Sequence, residues 1–215
     1  MVKMKLYNSF NISKKHKNAI ILIGNFDGLH LGHQKLFKLA KKYKKKYSSK
    51  IGVLTFEPMP KMFFNPKLKN FRLSNLNQKI ENLSRLNVDF VIIKKFDHKF
   101  SKTKSISFIK ETLGKRINPK FIFVSNNFRF GNKREGDVKQ LIKYEKLCKY
   151  KIIKPQPLIV KKKIISSSLI RKYLQNGKLK DANKLLKRNW SIDGKVQKGK
   201  QLGKKIGFPT ANIDI

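Results

Sequence analysis

The segment Ile23-Gly24-Asn25-Phe26-Asp27-Gly28-Leu29-His30-Leu31-Gly32-His33-Gln34 organises the reading of the whole chain. The run 19–23 before it is continuously apolar and β-branched, the pattern of a strand buried on both faces. Asp27-Gly28 predicts a tight turn, and a helix is expected to begin near His33. Strand, turn and helix in that order place unpaired N–H groups and the positive end of a helix dipole at the carboxyl end of a strand. Open α/β sheets bind ligands there, and phosphate is the expected guest. His30 and His33, three apart, fall on one side of the first helical turn, where both can donate to phosphate oxygens. Gly32 between them lets a large ligand approach the backbone. A histidine at a helix start is more commonly a cap, and an i, i+3 pair is also half of a metal site. A metal needs further ligands, and the remaining histidines, His16 and His98, lie in polar segments with no matching spacing.

Further short apolar runs at 51–56, 90–93, 121–124 and 150–153 read as strands. Between them, helical periodicity covers 33–46, 75–86, 105–113 and 138–147, the last with Asp137 as its N-cap. Strand and helix in alternation predict an open, parallel α/β sheet. Beyond Pro155 and Pro157 the chain crosses 158–165 and enters helices at 168–174 and 179–186, with Asn176-Gly177 as a stop between them. From Trp190 the character changes, with glycines at 194, 199, 203 and 207, and a β-rich region is expected.

At 215 residues the chain has room for one good-sized domain and a fragment, not for two full domains. With 40% of residues apolar and 16 phenylalanines it can build a packed core, which excludes the disordered and collagen-like classes. Lys and Arg total 52 against 12 acidic residues, a formal net charge of +40. Only seven are arginine, so 45 are lysine. A dedicated nucleic-acid surface favours arginine for bidentate contacts, so the excess reads as a solvated lysine-rich surface and no specific nucleic-acid partner is expected. The densest run, 41–46, reads as the exposed end of a helix, where positive charge suits the dipole. The single cysteine, Cys148, permits neither an internal disulfide nor a Cys-based zinc site. No run reaches the length of a membrane span, and 19–23 is too short for a signal peptide's apolar region. A soluble protein of the reducing cytoplasm, without a membrane partner, is expected.

HxGH after a first strand is the signature of a nucleotidyltransferase superfamily, and GNFDGLHLGHQ resembles the adenylyltransferase module of the prokaryotic bifunctional riboflavin kinase/FAD synthetase family. Further blocks are similar to that family in order: LTFEPMP (54–60), RLSNLNQKIENL (72–83), FVSNNFRFGNKREGD (123–137) and ISSSLIR (165–171). GKVQKGKQLGKKIGFPTANI (194–213) resembles the opening of the riboflavin kinase module. The resemblance implies a Rossmann-like, HxGH-type nucleotidyltransferase domain over 1–187, followed at 188–215 by the start of a β-barrel kinase domain. The implied reaction is ATP plus FMN giving FAD plus pyrophosphate, with Mg2+ held mainly by substrate oxygens. By resemblance, His30 and His33 are the catalytic pair. Gly24, Asn25, Phe26, Asp27, Gly32 and Asn127 line the ATP site, and Ser166, Ser167 and Arg171 clamp ATP from the opposite wall. Pro58, Phe64 and Phe130 are candidates for flavin contacts, and read equally as core aromatics and a turn proline.

The sequence departs from the family pattern at three places. Met59 stands where histidine is usual and is expected to alter packing beside the flavin. Asn126 replaces a carboxylate. Ile164 occupies a position often held by arginine, with Lys163 expected to substitute in charge but not in fork geometry. In the kinase module Thr210 and Asn212 are implied to bind Mg2+ and ATP. The 26 residues from 190 to 215 are too few to close a barrel, so riboflavin phosphorylation is expected to be absent, as in a truncated gene or a fragment of a bifunctional chain. The alternative from another class is a lysine-rich nucleic-acid-binding protein derived from a decayed nucleotidyltransferase.

Overall fold

The structure is a computed structural model that describes residues 4–68, 71–160, 162–197, 206–208 and 212–214. Strands β1 (Lys5–Tyr7), β2 (Ile20–Ile23), β3 (Ile51–Glu57), β4 (Phe90–Lys95) and β5 (Phe121–Phe123) are followed by a two-residue pair, β6 (Arg129–Phe130) and β7 (Gly136–Asp137), and by β8 (Lys151–Ile153). Six of them form one sheet in the order β1-β4-β3-β2-β5-β8, with every pairing parallel. The order reverses between β2 and β5: the chain moves outward from β2 through β3 to β4, then returns to β2's other side. A crevice opens at such a switch point, beyond the carboxyl ends of the two strands.

Alternate side chains of each strand enter opposite cores, as period-2 geometry requires. Ile21, Ile23, Leu54, Phe90 and Ile122 pack on one face, and Ile20, Leu22, Val53, Val91 and Phe123 on the other. Helices α1 (Leu31–Tyr47), α2 (Pro60–Phe64), α3 (Leu76–Arg85) and α4 (His98–Ser101) follow the first strands. Phe37 and Ala40 of α1 and Leu83 of α3 cover the second face. The first is covered by α5 (Ser105–Ser107), its continuation as a π-helix over Phe108–Ile117, and α6 (Val138–Lys143) and α7 (Glu145–Cys148). The helix expected over 105–113 is therefore wide-turned for most of its length, and the one expected over 138–147 breaks at Tyr144. Asp137 caps α6, accepting from the Gln140 N–H at 2.9 Å.

The crossing after Pro157 is a hairpin, β9 (Ile159–Val160) with β10 (Lys163–Ile164), before α8 (Ser167–Gln175) and α9 (Leu179–Leu186). These helices form a small core of Ile170, Ala182 and Leu186 with Leu73. Residues after α9 remain tied to this unit: the Trp190 indole donates to Leu73 O at 3.0 Å and Gln78 donates to Ser191 O at 3.1 Å. The β-rich character expected beyond Trp190 takes the form of β11 (Lys195–Gln197) paired antiparallel with β12 (Asn212–Asp214). No described helix is long and apolar enough to cross a membrane.

Candidate functional site

The loop from β2 to α1 is held by backbone conformations that few sequences tolerate. Phe26, Gly28 and Leu29 have φ values of 48°, 77° and 43°. At Gly28 a Cβ would lie 2.8 Å from the Leu73 side chain, so glycine is required by both conformation and space. The Phe26 ring turns inward against Phe37, and its backbone swings the following residues over the carboxyl end of β2. His30 then caps α1, with Nδ1 accepting from the His33 N–H at 3.4 Å, so the imidazole proton sits on Nε2. The two histidine rings stack with centroids 3.7 Å apart. A Cβ on Gly32 would press on His30 at 3.1 Å and on Ile165 O at 3.3 Å, which explains the glycine between them.

Both imidazoles are uncharged at neutral pH. Burial pushes His30 down to about 4. His33 is pushed well below its ordinary value, first by burial and then by the neighbouring His30 and Lys79. The His33 Nδ1 is sealed from solvent and has no partner among the described residues. The pair therefore presents two uncharged imidazoles to the loop's cavity, with the His30 proton on Nε2.

The acidic group of the loop is also neutralised. Asp27, 3% exposed, accepts from the Leu73 N–H at 2.9 Å through Oδ1 and from Arg171 Nη2 at 2.9 Å through Oδ2. Arg171 also donates to Phe71 O at 2.8 Å and lies 3.7 Å from the Phe71 ring centroid. The Ser167 hydroxyl donates to Asp27 O, and Ser166 caps α8 by accepting from the Leu169 N–H. Of the three residues expected to clamp a nucleotide, Ser167 and Arg171 thus join α8 to the β2–α1 loop, and Ser166 caps that helix.

All eleven residues expected at the catalytic and nucleotide sites line a single cavity of about 690 Å³. Gly24 to Asp27, His30, Gly32 and His33 form one side, Asn127 the edge beyond β5, and Ser166, Ser167 and Arg171 the far wall. A second cavity, about 730 Å³, shares Ile23, Gly24, Asn25, Lys61, Ser125 and Asn127 with it. Phe64 and Phe130 line this second space together with Phe56, Phe96, Phe100, Phe108 and Phe128. Pro58 lines neither cavity.

Two expectations are corrected. Met59, 2% exposed, lines the first cavity and not the aromatic one, whereas Pro60, Lys61 and Phe64 of α2, which starts directly after it, line the aromatic one. Lys163 lines neither cavity: β10 alternates, and it is Ile164 that contributes to the first. Asn126 borders the first cavity and donates to Gln156 Oε1 at 3.4 Å. Asn212 lies in β12, and Thr210 falls outside the described residues.

Sequence reasoning missed Phe71, Lys61 and the aromatic wall. It also missed Lys79, buried on α3, which burial lowers and which Glu57 and Asp27 pull back upward. Glu57 itself is paired with Arg72. Among the described residues no group of three or more His, Cys, Asp or Glu side chains could hold a metal ion.

Comparison with known proteins agrees with this geometry. The FAD synthetase family pattern matches residues 12–169, and the riboflavin kinase pattern matches residues 186–215. A bifunctional riboflavin kinase/FMN adenylyltransferase from Buchnera aphidicola subsp. Schizaphis graminum is 40% identical over 99% of this chain and 69% of its own length. A solved structure described as a macrolide-efflux protein from Streptococcus pneumoniae superposes with a TM-score of 0.78 at 27% identity, over 100% of this chain and 69% of that one. A pantoate-beta-alanine ligase from Francisella tularensis, 19% identical over 95% of this chain and 85% of its own, shares the fold with a TM-score of 0.53. The sheet order, the histidine-capped helix and the ordered sequence blocks all lead to one assignment: the chain belongs to the bifunctional riboflavin kinase/FMN adenylyltransferase family.

Proposed function

We propose that this chain transfers AMP from ATP to FMN, giving FAD and pyrophosphate, with ATP in the first cavity and the flavin in the aromatic one. The observation that carries this reading is the shared wall: a cavity walled by a histidine-capped helix start opens directly onto one walled by seven phenylalanines. A phosphate oxygen of FMN forms the new bond to the α-phosphorus of ATP, and the α-phosphorus–oxygen bond to the β-phosphate breaks as pyrophosphate leaves. Little covalent work falls to the protein in such a step; placement and stabilisation of charge on the phosphoryl oxygens carry the rate. His30 Nε2–H is a donor already fixed in orientation, and His33 stacks on it to hold the pair rigid. Phe64 and Phe130 are assigned to the flavin, with the other ring residues of the same wall.

Magnesium enters as part of the MgATP substrate. Asp27, the carboxylate lining the first cavity, is occupied by Arg171 and the Leu73 N–H, so the ion's oxygens come from phosphate and water. Residues 1–187 are assigned to this transferase unit and 188–215 to the opening of the kinase module, with Thr210 and Asn212 as its Mg2+- and ATP-binding pair. The nucleic-acid-binding alternative finds no supporting observation. Incubation of purified chain with FMN and MgATP should produce FAD, separable by chromatography. His30→Ala or His33→Ala should reduce turnover by about 100- to 1,000-fold while the protein stays folded. No FAD from the folded wild-type chain would overturn the proposal.

A further inference from the structure

We infer that Lys61 receives the phosphate of the flavin substrate and holds it against the α-phosphate of the nucleotide. The inference rests on the FMN adenylyltransferase reading above. The two cavities meet at Ile23, Gly24, Asn25, Lys61, Ser125 and Asn127, and Lys61 is the cation in that set. Two anions must come together at this junction for the bond between them to form, and each repels the other. Arg171 is tied to the Asp27 carboxylate and to Phe71 O, and lies away from the second cavity. The two histidines offer hydrogen bonds without charge.

Lys61 has the properties the junction needs. Its side chain is exposed, and it has no ion-pair partner among the described residues. Its Nζ lies 4.8 Å from the centroid of the Phe71 ring, which lines the nucleotide cavity and also carries Arg171 at 3.7 Å. A cation resting on an aromatic face, with a flexible four-carbon stem and no carboxylate to leave, can move to a phosphate at small cost. A lysine also suits this position as a point charge, because the phosphate it holds must keep an oxygen directed at the α-phosphorus.

FMN and riboflavin differ by the phosphate alone, so their relative affinities isolate the contact. Flavin-fluorescence titration of the wild-type chain should show FMN bound about tenfold or more tighter than riboflavin. Lys61→Met should abolish that preference while leaving the riboflavin dissociation constant unchanged. It should lower kcat/KM for FMN by about tenfold to a hundredfold, with KM for ATP moving much less. Lys61→Arg should restore part of the preference. Lys163→Met, an equal loss of charge at an exposed position lining neither cavity, should retain it in full. If Lys61→Met keeps the wild-type preference, or if riboflavin affinity falls as far as FMN affinity, the inference is overturned while FAD synthesis stands. A wild-type chain that makes no FAD would instead remove the reading on which it rests.

Discussion

Removing the carboxylate of Asp27 tests the central claim about how the site is held together. The Asp27–Arg171 pair joins the β2–α1 loop to α8 across 144 residues of sequence, with side-chain exposures of 3% and 17%. Two unit charges about 4 Å apart interact by about 4 kcal/mol at an effective dielectric of 20, and loss of one partner of a buried pair costs about 3–5 kcal/mol because the other is left uncompensated. Asp27→Ala also strands the Leu73 N–H, which donates to Oδ1 at 2.9 Å. Against a typical domain stability of about 5–15 kcal/mol, that variant is close to unfolding. Asp27→Asn is the better probe, since its side-chain oxygen still accepts from Leu73 while the amide nitrogen in place of Oδ2 removes the charge and the acceptor facing Arg171.

A double-mutant cycle of Asp27→Asn and Arg171→Met, read by urea denaturation, should return a coupling of about 2–3 kcal/mol. The exposed i, i+4 pair Arg85–Glu81, 65% and 58% exposed, is the internal comparison and should return about 0.5 kcal/mol or less. In turnover assays Asp27→Asn should raise KM for ATP more than it lowers kcat, because it loosens a wall and leaves the histidine donors in place. Coupling no larger than that of the surface pair would refute the argument that this bridge braces the nucleotide cavity.

The depressed His30 gives a pH signature. Its folded value of about 4 lies below the ordinary 6.5, so between these limits the unfolded chain takes up a proton that the folded chain refuses. Stability is full above pH 6.5 and declines as pH falls toward 4, by about 3 kcal/mol from this group; His30→Asn, which keeps a cap acceptor, should show a shallower decline, and identical slopes would contradict the assignment. At Gly52 a Cβ would overlap the Phe90 ring and come within 2.8 Å of Ile21 Cδ1, so Gly52→Ala should cost about 1–3 kcal/mol in urea midpoint experiments. Adding Phe90→Leu should return part of that loss, whereas an unchanged midpoint in the single variant would show that the ring can move aside. Added salt should lower kcat/KM at subsaturating FMN and ATP with little effect on kcat, since the lysine field reaches only about 8 Å at physiological ionic strength; a flat response would remove any steering role.

The sheet was legible because each of its inner strands is apolar on both faces, and a strand buried by helices on both sides must be. Segments 19–23, 51–56, 90–93, 121–124 and 150–153 all correspond to strands within one or two residues. Strand β1 was not legible: three residues at an edge, with Leu6 41% exposed, leave almost no hydrophobic pattern. The π-helix was hidden for a different reason, since one extra residue per turn leaves apolar spacing that still passes for helical over a short stretch. His30 and His33 were singled out by their spacing together with the strand before them and the glycines around them, and the structure brings both to the first cavity. The Asp27–Arg171 pairing was not, because no local pattern connects positions so far apart, and Lys61 was one of 45 lysines until two cavities met beside it.

That last point bears on what the net charge of +40 is for. Within the nucleotide cavity the histidines are uncharged and the arginine is matched to a carboxylate, while the two lysines on its lining, Lys35 and Lys61, are exposed and have no ion-pair partner among the described residues. The buried part of such a site discriminates by direction, through oriented hydrogen bonding more than through charge. Most of the lysines instead lie exposed on the surface, where the field they create raises the local concentration of anions regardless of shape. Attraction and selection are thus divided between residues, with strong, nonspecific charge on the exposed lysines and uncharged or paired groups at the buried positions of the nucleotide cavity. A cavity lined with free cations would bind phosphates more tightly in the ground state, and would resist release of pyrophosphate and the dinucleotide by the same measure. One mobile ammonium at the junction of the cavities is compatible with both demands, because it acts where the two phosphates meet and lies against an aromatic ring when they are gone.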